Sequence, residues 1–321
     1  MAQFMSESPT DGNNIPPTQA SLPAGWLSRW PWITFLLPFF VFMLATSFEP
    51  TPPPNSGTNQ EIIAESPPAG IAEGRLEEPA DVEAPFSVEE GGASLLPNIN
   101  YSYYPHVYTA KIALTLLAMC LVWPGYRTFP LRVSGLSVVV GVVGVVLWIV
   151  LCDLRLEPKV IGPIDEFLGS FIPGLEEGDT PSVGLMSMLG TGQRSAFNPL
   201  KQLASTPVWA YLFLAIRFFG LAMIVPVIEE FFLRGFLMRY VVHEQWWQVP
   251  FGSVNRLAVI AGTAVPMLMH PGELLAAFVW FSMVTWLMVR TRNIWDCVVA
   301  HGVTNLLLGI YVVWFDQWQL M

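Results

Sequence analysis

The sequence is short of charge and almost free of cysteine. Only 12% of its 321 residues are Asp, Glu, Lys or Arg, about half the ~25% of an ordinary globular domain, which argues against a soluble fold with a solvated surface. The three cysteines, Cys120, Cys152 and Cys297, are odd in number and lie in apolar stretches, leaving no disulfide framework and no CxxC metal pair. No basic patch is available for nucleic acid. No basic stretch leads into a short apolar core near the N-terminus, so the first hydrophobic segment is expected to stay as an anchor. An HExxH pair is missing, since His243-Glu244-Gln-Trp-Trp lacks its second histidine. No GxSxG elbow occurs, and Gly135-Leu-Ser137-Val lacks the last glycine of a rhomboid-like turn. Only Asp296 lies within an apolar stretch, one aspartate short of an aspartyl pair. No internal repeat is present, which removes the usual sign of an inverted-repeat transporter.

What is abundant is apolar: 53% of the residues are hydrophobic. About twenty apolar residues in helical form cross a bilayer, because only a helix or a closed barrel satisfies its own backbone polar groups in lipid. Segments 30–48, 107–123, 136–152, 207–242, 257–270, 274–289 and 294–315 approach or exceed that length. The expectation is an all-α, polytopic transmembrane bundle of seven or eight spans, the number turning on whether 207–242 is one span or two. Residues 1–29 read as a disordered tail and 30–48 as the first anchor. Residues 49–105 read as an acidic, Pro-rich linker and 106–206 as two spans with a long loop, whose apolar pieces 167–172 and 183–189 suit a re-entrant or amphipathic segment. Residues 207–316 are the membrane core. Most of the net charge of −10 sits in the linker, where ten acids between Glu49 and Glu90 face Arg75 alone. Lys111 is near enough to the end of its span to reach the headgroups.

Lys and Arg near span ends set orientation. Arg29, Arg127 and Arg132 put the start of the first span and the loop between the second and third on the cytoplasmic side, with the acidic linker outside. A single long 207–242 span would bring Arg290 and Arg292 to the same side, whereas two spans would send them across.

Ionisable residues inside spans are costly and mark function by default. Glu230 and Arg234 are four apart and can pair on one helix face, leaving Glu229 turned about 100° away and free to act as a base. His301 and Asn305 share a face of the last span and can donate hydrogen bonds to one point. His270 ends an apolar run before Pro271. Each cluster has a purely structural alternative: an ion pair that holds helices together, a satisfied core histidine, an interfacial cap.

Together, Glu229-Glu230-x-x-x-Arg234, His270 and His301-x-x-x-Asn305 resemble the EExxxR, FxxxH and HxxxN motifs of the CPBP family, the membrane proteases grouped with type II CAAX prenyl endopeptidases. The middle motif departs, with Pro266 in place of Phe. The resemblance implies that Glu229 activates a water, His270 helps to position it, Glu230 pairs with Arg234, and His301 and Asn305 stabilise the oxyanion. It implies a peptide or protein substrate in or at the bilayer, no nucleic acid, and the plasma (inner) membrane of a bacterium. A metal-independent glutamate mechanism needing no cofactor is favoured, with Zn²⁺ on Glu229, His270 and His301 as the alternative. Rival readings are a non-catalytic scaffold or immunity-type protein of the same fold, and a proton-coupled transporter using Glu229 and His301 as a relay.

Overall fold

The computed structural model describes residues 25–50, 99–154, 159 and 197–320. The expected tail up to residue 24, nearly all of the acidic linker and the 167–172 and 183–189 pieces lie outside the described residues. Every regular element among the described residues is helical. The principal helices are α1 (Ile33–Thr46), α2 (Tyr104–Tyr126), α3 (Gly135–Leu154), α4 (Pro207–Val242), α5 (Arg256–Leu268), α6 (Leu274–Thr291) and α7 (Ile294–Phe315).

Their ends follow local chemistry. Asn255 and Asn293 cap α5 and α7 by accepting the backbone N–H groups of Ala258 and Trp295. Arg292 ends α6 in the left-handed conformation (φ 50°), its N–H returning to the Met288 carbonyl at 2.8 Å.

Five of these helices, α2, α3, α4, α6 and α7, are long and apolar enough to cross a membrane. Helices α1 and α5 have 14 and 13 residues, or about 20 Å at 1.5 Å per residue, short of a ~30 Å hydrocarbon core. Of the seven or eight spans expected from hydropathy, five are thus shown by length and composition among the described residues. Pro266 and Pro271 bracket the end of α5, and apolar residues beyond α1 and α5 extended the composition signal past the hydrogen-bonded helices. The α4 region is one continuous helix of 36 residues, and the turn after α6 lies beside the loop before α3. There Asn293 Nδ2 donates to the Arg132 carbonyl (2.6 Å), and Ser134 N–H donates to Asp296 Oδ1 (2.7 Å). Arg290 and Arg292 are therefore at the same end of the bundle as Arg127 and Arg132.

The exterior is apolar, and the costly ionisable residues are kept inside a core that is otherwise apolar too. Leu114, Leu117, Val139, Val146, Leu212 and Ile310 are exposed, whereas Glu230, Arg234, Asp296 and His301 are buried. Multiple apolar helices with this distribution make the chain an integral membrane protein. Close packing, not apolar transfer, holds helices together in lipid, and small residues permit it. A Cβ on Gly141 of α3 would stand 2.7 Å from the Ala300 carbonyl oxygen of α7, and one on Gly302 of α7 would stand 2.6 Å from that of Ala222 in α4. Helix α7 is thus clasped between α3 and α4.

Lys111 does not reach for the headgroups. It is buried in α2, ion-paired with Glu49 just past α1, with its ammonium 4.3 Å from the Phe42 ring and 4.6 Å from that of Tyr108. Glu49, counted with the linker on sequence, belongs to the bundle.

Candidate active site

Helix α4 is irregular where its polar residues lie. Two π turns, Gly220–Ile224 and Phe231–Leu237, flank the α-helical stretch Val225–Glu230. Pro226 has no N–H to return to the carbonyl four residues back, that of Ala222, and this is the carbonyl that Gly302 approaches. Wider π turns accommodate such interruptions and leave carbonyls outside the regular ladder. One neighbour, the Leu221 carbonyl, accepts the side-chain N–H of Asn305 at 2.9 Å.

Glu230 and Arg234 are fully buried, with Oε2 2.8 Å from Nη1. The other carboxylate oxygen of Glu230 accepts Nδ1–H of His301 at 3.0 Å, so Glu230 bridges α4 to α7. Arg234 also reaches the Phe281 carbonyl (3.4 Å), its guanidinium 5.6 Å from that ring. The other arginines of α4 are engaged elsewhere: Arg217 donates to the Phe197 carbonyl, and Arg239 to the carbonyls of Val249, Gly235 and Trp247. Arg234 is the guanidinium paired with Glu230.

Glu229 turns into a cavity of about 260 Å³, where it meets His270, His301, Asn305, Thr304 and Glu273 among aromatic walls from Trp148, Trp280 and Phe281. Its Oε2 stands 4.0 Å from His301 Nε2. His270 reaches the cavity despite the proline four residues earlier, because α5 runs through Pro266 and the His270 Nδ1 lies 2.8 Å from the Pro266 carbonyl. A carbonyl only accepts, so Nδ1 carries the proton and Nε2 of the neutral ring is an acceptor. The same reasoning fixes His301 Nδ1 as protonated, toward the Glu230 carboxylate.

The four residues singled out on sequence, Glu229, His270, His301 and Asn305, thus line one cavity. Sequence reasoning missed two features. Glu273, in the turn between α5 and α6, is buried on the same wall; the signal was a carboxylate three residues after His270. The Glu230–His301 bond joins residues 71 apart in the chain, and nothing local announces it. Among the described residues, no group of three or more His, Cys, Asp or Glu side chains is disposed to hold a metal ion. Glu229, His270 and His301 line the same wall, and each ring uses Nδ1 on a carbonyl or carboxylate, which leaves Nε2 as the nitrogen available to a ligand.

Residues 209–307 match the family described as type II CAAX prenyl endopeptidase Rce1-like. No curated protein and no solved structure matches the chain. The matched segment runs from α4 to α7 and contains every residue of the polar cluster. Over this segment, about a third of the chain, the protein is similar to the type II CAAX prenyl endopeptidases.

Proposed function

We propose that the chain is an intramembrane endopeptidase that hydrolyses a peptide bond of a membrane-associated protein with a water activated by Glu229. The observation that carries this reading is the meeting of Glu229, His270, His301 and Asn305 around one cavity within an apolar bundle. A water making ordinary hydrogen bonds of about 2.8 Å to both Glu229 Oε2 and His301 Nε2 subtends about 90° across their 4.0 Å separation. With the His301 ring doubly protonated, its Nε2–H donates to that water, and Glu229 Oε2 and His270 Nε2 are the two acceptors that orient its hydrogens.

In the step, the Glu229 carboxylate takes a proton as the water oxygen bonds to the scissile carbonyl carbon. The carbonyl π pair moves to oxygen, where the second Nδ2 hydrogen of Asn305 and Nε2–H of His301 donate to the oxyanion. Since Nδ1 of His301 is committed to Glu230, Nε2 donates only in the doubly protonated ring, and Glu230 is the counter-charge already in contact with it. Collapse of the intermediate breaks the C–N bond, and protonated Glu229 returns its proton to the leaving amine. No cofactor enters the step.

The same reading gives seven membrane segments, α1 and α5 completing the bundle on the five long helices, with the arginine end cytoplasmic in a bacterial plasma membrane. The test uses the full chain in proteoliposomes with a panel of membrane-anchored peptides, with and without a C-terminal lipid, in ¹⁸O-labelled water. One labelled oxygen in the new carboxylate is expected from the wild type and no product from Glu229→Gln; full cleavage by Glu229→Gln overturns the proposal.

A further inference from the structure

The two ends of the bundle differ in charge. Arg29, Arg127, Arg132, Arg256, Arg290 and Arg292 are exposed at one end, where Glu244 is the exposed carboxylate among the described residues. Contacts tie this end together: Phe35 of α1 meets Phe129 and Trp246, and Trp295 Nε1 donates to the Phe129 carbonyl. At the other end, Lys159 and Lys201 are accompanied by Asp153 and Asp316. Asn198 and Lys201, before α4, both bond Asp316 at the end of α7.

The cavity is placed asymmetrically between these ends. At 1.5 Å per residue, His301 stands about 10 Å from the arginine end of α7, Asn305 about 17 Å and Leu308 about 21 Å. Glu229 stands about 20 Å from the end of α4 at Val242. His301 and Glu229 are nearer the arginine ends of their helices, and from them the wall extends to the opposite end through Trp148, His270, Glu273 in the turn between α5 and α6, and Leu320 beyond α7. Phe231, about 200° round α4 from Glu229, packs away from the cavity, fully buried among Phe35, Tyr126, Phe129 and Trp295.

We infer that the cavity opens on the arginine-poor face of the bundle, so that the substrate is a membrane-anchored protein presenting its cleavage site on the non-cytoplasmic side. Basic loops stay in the cytoplasm, which puts the end of the wall at His270, Glu273 and Leu320 on the outer side. A lipidated C-terminus held at the cytoplasmic leaflet is at the opposite end of the bundle from that opening. The choice of substrate rests on the protease reading; the sidedness of the opening does not.

Two arms keep these apart. In the first, Leu308→Cys on the cavity wall and Arg290→Cys at the basic end are treated with a membrane-impermeant maleimide in sealed vesicles of each orientation, against the wild-type background of native cysteines. Leu308→Cys is expected to label in right-side-out vesicles and lose labelling in inside-out ones, and Arg290→Cys to do the reverse. The opposite pattern overturns the inference. Leu320→Cys replaces Leu308→Cys if the latter does not fold. In the second arm, cells carry a single-span reporter with a randomised segment on the outer or the cytoplasmic side of its anchor. Cleavage confined to outer segments and lost in Glu229→Gln is expected, while cleavage confined to cytoplasmic segments overturns the substrate class. Cleavage that persists in Glu229→Gln sinks the protease reading alone, and the labelling arm then judges the opening by itself.

Discussion

Two buried charge clusters sit in this bundle, and they are balanced differently. Between α1 and α2, Lys111 meets one carboxylate, Glu49, and two aromatic faces. Between α4 and α7, Arg234 pairs with Glu230, while Glu229 stands 4.0 Å from His301. Glu230 is consumed by Arg234 and His301, and Glu229 is left over, turned to the cavity. Desolvating a charge is costly in either place. A one-to-one pair offsets that cost and leaves nothing for chemistry, whereas a surplus acid beside a cavity keeps a group that can take a proton. The first cluster is structural and the second is the candidate reaction centre.

Substitutions can break or sharpen that contrast. The largest effect is expected from Glu229→Gln, which keeps the shape of the side chain and removes its basicity. Cleavage should fall by about 10³-fold or more while the unfolding midpoint in detergent stays near wild type. Arg234→Met should be the worst for folding, costing about 3–5 kcal/mol by leaving Glu230 buried without its cation, read from denaturant unfolding; a fully stable variant would mean that Glu230 is not held as a charge. Asn305→Ala should slow cleavage by about 10²-fold with the stability change confined to one lost hydrogen bond. Lys111→Met should cost about 1–3 kcal/mol, less than Arg234→Met because Glu49 keeps 18% of its side chain exposed, and should leave the cleavage rate of the folded fraction unchanged. The smallest effect belongs to the exposed Lys201–Asp316 pair outside the membrane. Hydrogen bonds from Lys201 and Trp318 hold the Asp316 carboxyl below its ordinary value of 3.8. Its contribution is therefore present above the ordinary carboxylate range and lost as pH falls through the lowered folded value. Lys201→Ala should remove this small contribution at neutral pH, leave stability below the window unchanged and flatten the acid dependence in between.

Much of the membrane core was legible because its signals are local. The apolar stretches, Glu230 and Arg234 four apart, and His301 and Asn305 four apart all follow from one helical period. Boundaries read less well: α1 and α5 are shorter than their apolar segments, since hydropathy counts flanking residues that the helix hydrogen bonds do not include. Lys111 read as a residue seeking the headgroups because its partner lies 62 positions earlier, past the end of another helix. Glu273 was passed over because it sits in a turn, where a carboxylate usually needs no explanation.

By itself, the sequence determined that the protein lives in a bilayer, since lipid admits few charges and demands long self-satisfied helices. It also determined which costly side chains had to be accounted for. Only the tertiary structure decided where their partners lie: that α4 is unbroken, that Glu230 serves both Arg234 and His301, and that the cavity wall runs to Glu273 and Leu320 at the end away from the arginines. Those outcomes depend on how helices distant in the chain approach one another at their glycines, and no helical period carries that information.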